Sequence, residues 1–161
     1  MPEINDLLRQ AMRHWTTGVS VVTCRHAELR HGMTVNSFTS ISIDPPRVVV
    51  TLANRTRTYA LVQAAGAFGV SILPLEMEEI SNRFAGRIAE DGDRFAGLEV
   101  LTAPGGMPLL KGCLAGMECR VIHTYPMPES TLFVGEVEWV YTTSDGEPLV
   151  YHNRSYRKLV V

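Results

Sequence analysis

Residues 32 to 58 concentrate the side chains that could handle a polar ligand. This stretch holds eight hydroxyl side chains (Thr34, Ser37, Thr39, Ser40, Ser42, Thr51, Thr56, Thr58), two amides (Asn36, Asn54) and a single acid, Asp44. It leads into the β-branched segment Val48–Leu52. Unpaired hydroxyls and amides are costly beside a buried strand. A surface loop would leave them to water; a flat ligand with a polar edge would engage them. Apolar Val35, Phe38, Ile41 and Ile43 alternate with the polar residues, so an extended chain could pack one side and line a cleft with the other. At the end of the stretch, Asn54-Arg-Thr-Arg-Thr58 opens a helix. Free N–H groups, hydroxyls and guanidinium groups together there suit a phosphate.

Other constellations offer less. The chain has no GxGxxG or GxxxxGK[ST] motif, so any nucleotide binds without a Rossmann helix or a phosphate loop. It also lacks HExxH and GxSxG. Cys24, His26 and His31 lie close in sequence but are expected in a solvated hairpin loop, with no metal. Glu90, Asp91 and Asp93 are expected in another solvated loop, with nothing apolar nearby to raise a carboxyl pKa. His123 is expected to be structural.

The elements that must position these residues follow from patterning. At 161 residues, 45% hydrophobic and 20% charged, the chain suits one globular domain spanning 1–161. A net charge of −2 and scattered Lys and Arg give no electrostatic case for nucleic acid or an anionic membrane. Three cysteines, never spaced CxxC, argue against a disulfide framework. Met1–Arg13 has no apolar segment of signal-peptide type, and no run approaches a bilayer span, so a cytoplasmic location is expected.

Asn5 is expected to cap a first helix with Leu8, Met12 and Trp15 near one face. Gly18–Thr23 and Met33–Ser37 read as strands joined by the polar segment Cys24–Gly32. Val48–Leu52, apolar on both faces, reads as a central strand covered on both sides. Thr56 or Thr58 caps a short helix that Gly66 stops, and Met77–Phe84 forms another. Phe68–Leu73, Leu114–Tyr125, Thr131–Thr143 and Pro148–Tyr151 are further strands, with Ser144-Asp-Gly146 as a turn. The pattern predicts a mainly β domain, an antiparallel β-barrel with short helices outside it.

Several blocks together resemble the flavin reductase-like family, which includes the reductase components of two-component flavin monooxygenases. They are Trp15-Thr-Thr-Gly-Val-Ser-Val-Val-Thr23, Gly32-Met-Thr-Val-Asn-Ser-Phe-Thr-Ser-Ile-Ser42 with Pro45-Pro46, and Asn54–Thr58. Further matches are Asn82-Arg-Phe-Ala-Gly86 with Asp93-Arg-Phe95, Gly116-Met-Glu-Cys119, Leu132-Phe-Val-Gly-Glu-Val137, and Pro148-Leu-Val-Tyr151 before Tyr156. The resemblance covers almost the whole chain in order.

It implies an FMN-binding split β-barrel, commonly a homodimer, that takes FMN (or FAD) and uses NADH or NADPH. By position, Thr34, Val35, Asn36, Ser37, Ser40 and Ser42 would line the isoalloxazine edge and ribityl chain, with Thr34 and Asn36 as edge donors. Ala53, Asn54, Arg55, Thr56 and Thr58 would approach the ribityl chain and phosphate, and Phe84 and Tyr156 would be aromatic walls. Hydride transfer from nicotinamide to flavin requires no strong acid or base, and reduced flavin would pass to a partner oxygenase. One block departs. Family reductases commonly carry Gly-Asp-His before the strand matching Leu132–Val137, where this chain has Pro128-Glu-Ser-Thr131. That leaves two readings: a nicotinamide-dependent reductase, or an FMN-binding flavoprotein without nicotinamide-dependent turnover.

Overall fold

In the computed structural model, residues 1–87, 92–143 and 145–160 are described. The elements in chain order are α1 (Ile4–Met12), β1 (Thr17–Gly18), β2 (Ser20–His26), β3 (Leu29–Val35), β4 (Thr39–Ser42), β5 (Arg47–Ala53), α2 (Arg57–Ala65) and β6 (Ala67–Ile72). Then come α3 (Glu78–Phe84), β7 (Val100–Thr102), β8 (Pro108–Leu110), β9 (Ala115–Pro126), β10 (Ser130–Thr142), β11 (Val150–His152) and β12 (Ser155–Arg157). Seven strands form one antiparallel sheet in the order β3-β2-β6-β9-β10-β5-β4. The sheet curls until β3 approaches β5, which gives a mainly β barrel of split type. A smaller sheet, β1-β11-β12, and the hairpin β7-β8 complete the described strands.

Two cores lie on opposite faces of β2. Val22 and Cys24 join Val50, Leu52, Val62, Phe68 and Phe133 inside the barrel, whereas Val19 and Val21 join Leu73, Phe84, Phe95, Leu110 and Leu149 outside it. The strand covered on both sides is therefore β2, buried from Ser20 through Cys24, and not β5. In β5 the buried residues Val48, Val50 and Leu52 alternate with half-buried Val49, Thr51 and Ala53, because this chain packs nothing comparable on the outer face. Apolar composition alone does not reveal which strand receives a second layer.

The hairpin differs from expectation in the same region. β2 and β3 continue through Cys24–Gly32 in register, Cys24 opposite His31, and the turn is Ala27-Glu28 alone. Cys24 and His31 are consequently buried, and the Cys24 thiol donates to the Ala67 carbonyl at 3.3 Å. Polar side chains concealed the strand: Arg25, His26, Glu28 and Arg30 are exposed as in a loop, and only His31 turns inward to pair with Thr58 of α2. Helix α1 starts after Glu3 with no side-chain cap, so Asn5 lies inside it, and none of its residues is buried.

The other helix signals correspond to structure. The Thr56 hydroxyl caps α2 by accepting from the Tyr59 N–H at 3.2 Å, and Gly66 ends it with φ +66°. That positive φ favours glycine. The pair β7-β8 and strand β12 lie where patterning gave no strand. Ser144 of the expected turn, and Glu90 and Asp91 of the carboxylate cluster, lie outside the described residues.

Candidate functional site: a three-lobed groove along β3

Strand β3 runs along the floor of a groove with three connected lobes. The outer lobe, about 590 Å³, lies between the β2–β3 hairpin and α2, and it includes His31 and Arg57. These two residues also line the middle lobe, about 310 Å³, with Met33, Thr34, Thr56, Phe84, Ala85 and Arg94. Thr34 and Ala85 continue into the inner lobe, about 240 Å³, which Val35, Asn36, Arg87, Tyr151 and Tyr156 enclose.

Pleating explains the floor. Successive β3 residues point to alternate faces, and where the strand ends at Val35 the residues Thr34, Val35 and Asn36 all border the inner lobe. Helix α3 fixes the side wall: the Thr34 hydroxyl donates to the Ser81 carbonyl at 2.6 Å, and the Ser81 hydroxyl lies 2.6 Å from the Tyr156 hydroxyl. Tyr156 also donates to Asn82 Oδ1 at 3.2 Å and meets Tyr151 edge to face, with ring centroids 5.6 Å apart. The Arg87 guanidinium lies 5.8 Å from the Tyr156 ring centroid. The free N–H end of α2 opens toward the middle lobe beside Thr56 and Arg57. Across from it, Arg94 is anchored through bonds to the Gly32 carbonyl at 3.0 Å and the Phe84 carbonyl at 2.8 Å.

The residues expected at the site divide into two groups. Thr34, Val35, Asn36, Thr56, Phe84 and Tyr156 line the middle and inner lobes. Ser37, Ser40, Ser42, Ala53, Asn54, Arg55 and Thr58 line none of the three. Ser37 joins the β3–β4 connection to Thr51 through two 3.1 Å bonds. Ser40 is exposed on β4, and the Ser42 hydroxyl donates to the Pro45 carbonyl. Ala53 ends β5 half-buried, and Arg55 is exposed. Thr58 is wholly buried, its hydroxyl 2.9 Å from His31 Nδ1. Phe84 is also wholly buried, 5.1 Å from Phe95 in an edge-to-face pair.

Asn54 holds the loop that departs from the family pattern. Its side-chain amide donates to the Met127 carbonyl at 3.0 Å and accepts from the Thr131 hydroxyl at 2.7 Å. Its backbone N–H donates to the Glu129 carbonyl at 2.9 Å.

Patterning missed His31, Met33, Ala85, Arg87, Arg94 and Tyr151 as lining residues, while Arg57 belongs to the run Asn54–Thr58 that it read as suiting a phosphate. The blocks Asn82–Gly86 and Asp93–Phe95 were the available signal for Ala85 and Arg94.

The groove's electrostatics are one-sided. No Asp or Glu lines the middle or inner lobe among the described residues, while Arg57, Arg94 and Arg87 do. Asp93, in the outer lobe, is held below the usual carboxylate range, chiefly by its hydrogen bond from Arg30. The thiols offer no nucleophile. Burial pushes Cys24 and Cys119 up to about 12, and Cys113 upward too. Such a site can hold an anion and a flat ring and stabilise negative charge on that ring; it is not built for general acid–base work.

The family model for the flavin reductase like domain matches residues 12–160. The chain belongs to this family. Among curated relatives, the NADH-dependent flavin reductase of a Rhodococcus species is 39% identical over 163 residues, covering 98% of this chain and 89% of that one. The reductase component of 4-hydroxyphenylacetate 3-monooxygenase from Thermus thermophilus is 35% identical, covering 98% of each. Among solved structures, the flavin reductase PheA2 superposes with a TM-score of 0.90 at 30% identity, covering 99% of this chain and all of that one.

As a flavin reductase-like chain, it can be tested for fit to a flavin. The inner lobe, with two tyrosines and Val35 for walls and Asn36 at its edge, suits a ring. The middle lobe, with two guanidinium groups and a helix N-terminus, suits a phosphate. The residues fit the group.

Proposed function

We propose that this chain is an NADH-dependent flavin reductase that binds FMN or FAD and supplies reduced flavin to a partner oxygenase. The observation that carries the reading is a ring-sized lobe joined to a cationic one, with no carboxylate lining either among the described residues. Its family membership and the names of its Rhodococcus and Thermus relatives support the reaction.

Tyr156, Val35, Asn36 and Thr34 would surround the flavin ring, and Thr56, Arg57 and Arg94 would hold the phosphate. When bound, the flavin supplies two-electron redox chemistry with reduced nicotinamide. The chain's part is positional and electrostatic. Arg87 brings positive charge to the inner lobe, where reduction leaves negative charge on a ring. Tyr151 and Tyr156 exclude water from one side of that lobe. We assign Ser37, Asn54 and Thr58 to holding the walls, since their polar groups are spent on neighbouring chain.

The assembly we propose is a homodimer. Its support is the outer face of β5, β10 and β9, where Val49, Thr51, Leu132 and Val134 stay half-exposed in adjacent rows and Tyr125 is 51% exposed. A cytoplasmic setting suits an enzyme that consumes reduced nicotinamide and carries three free cysteines.

Anaerobic titration tests the reaction. Protein mixed with FMN or FAD should lose its yellow absorbance on addition of NADH, at a rate that rises with protein concentration. The replaced loop at Pro128–Thr131 favours a second reading, a flavoprotein without nicotinamide turnover. Flavin binding with no bleaching by NADH or NADPH would decide for it.

A further inference from the structure

We infer that Asn82, which lines none of the lobes, is a positioning residue that aims the Arg87 guanidinium at the inner lobe and so makes the chain hold reduced flavin more tightly than oxidised flavin. The inference rests on the flavin reading above and extends it to the end of helix α3, behind the wall of that lobe.

The backbone supplies the first ground. Gly86, with φ +72°, turns the chain back after α3. Its N–H donates to the Arg83 carbonyl at 3.1 Å, and the Arg87 N–H donates to the Asn82 carbonyl at 3.0 Å, the paired bonds of a glycine-ended helix. Arg87 is thereby returned to the side of Asn82. Buried Ser81 and Phe84 fix the helix from which this turn leaves.

Side chains supply the second. Asn82 Oδ1 accepts from Arg87 Nη1 at 3.2 Å and from the Tyr156 hydroxyl at 3.2 Å. A guanidinium can only donate, so the amide oxygen of Asn82, and not its NH₂, faces both groups. With the Tyr156 proton committed to Asn82, Ser81 is the donor in its 2.6 Å bond to the Tyr156 oxygen. Arg87 Nη2 also reaches the Tyr151 hydroxyl at 3.4 Å. One amide oxygen therefore ties an aromatic wall of the ring lobe to its cation. Arg87 is exposed, and without that tie its long side chain would range through water. Held at a lobe that no acid lines among the described residues, its charge favours a ring that becomes negative on reduction over the neutral oxidised ring.

Anaerobic titrations of the full chain with oxidised and with reduced FMN test this. In the unaltered chain reduced FMN should bind more tightly. Asn82→Ala should lower the ratio of reduced to oxidised affinity about tenfold, a fall of about 30 mV in the two-electron midpoint potential of the bound flavin. Arg87→Gln should do the same, and adding Asn82→Ala to it should move the ratio little further, because Asn82 acts through Arg87. Asn82→Asp keeps an acceptor for both donors, and circular dichroism checks that the fold is kept. It should also lower the ratio, since its carboxylate offsets the guanidinium charge. Tighter binding of oxidised FMN by the unaltered chain would overturn the inference while leaving the flavin site standing. So would a ratio that either Asn82 substitution leaves unmoved, or an Asn82→Ala loss of the same size with and without Arg87. Binding of neither form of FMN by the unaltered chain would remove the flavin reading and the inference together.

Discussion

Arg55 and Arg57 stand two positions apart, yet they bear differently on the groove. Arg55 is exposed and lines none of its lobes; Arg57, the first residue of α2, lines two of them. Composition could not separate them, because both belong to the run Asn54–Thr58. The helix start does so: both side chains are exposed, but Arg57 lies along the groove and Arg55 lies away from it. If the middle lobe holds the flavin phosphate, Arg57→Ala should weaken FMN roughly tenfold and riboflavin much less. Arg55→Ala should change neither appreciably. Fluorescence titration with both flavins measures the contrast, and equal losses for FMN and riboflavin would place the phosphate elsewhere.

At the scale of elements, β10 is the strand on which others depend. It pairs with β9 along nearly its whole length and with β5 through Ser130–Glu136, and a register shift follows Val134. Gly135 at that shift has no room for a side chain: an added Cβ would lie 2.7 Å from Phe68 Cζ and 2.8 Å from Cys119 Cβ. Both neighbours are wholly buried, so neither can move aside cheaply. Gly135→Ala should cost about 1–3 kcal/mol by overpacking. Urea denaturation would record this as a lower midpoint with an unchanged slope. Glu118 on β9 is another such fixture, its carboxylate accepting from the Gly105 N–H at 2.7 Å and the Met107 N–H at 2.9 Å. It ties the turn between β7 and β8 to the main sheet.

Two properties belong to the whole molecule. The first is alkaline sensitivity. Burial raises the Cys24 and Cys119 thiols from 9.0 to about 12, so between those values the folded chain keeps protons that the unfolded chain releases. Stability is then full below about pH 9 and falls as pH rises toward 12. Urea midpoints measured across that window should decline, and Cys119→Ala should make the decline shallower. The second is assembly. Sedimentation should give twice the 17.8 kDa chain mass, and Val134→Lys with Leu132→Lys, on the half-exposed outer face, should give the single-chain mass. A single-chain mass for the unaltered protein would remove the dimer.

Local chemistry made part of this protein legible in sequence. Thr56 and Gly66 delimit α2 through a hydroxyl cap and a positive φ, effects of neighbours a few residues apart. Strand patterning located β5, β6, β9 and β10, and the matched blocks named the family. The tertiary structure decided what distant residues do to one another. The polar run Cys24–Gly32 was legible as a loop, yet α2 packs over it, buries His31 against Thr58 and makes it strand. Thr34, Asn36 and Thr56, singled out by type in the polar stretch, and Tyr156, singled out by the family resemblance, do line the groove. Arg94 and Tyr151 stand in matched blocks, but Arg87 joins them through folds of the chain that no spacing records. Side-chain type is local and survives in sequence; which face a strand buries, and which guanidinium finds a carboxylate, depends on segments brought together from far along the chain.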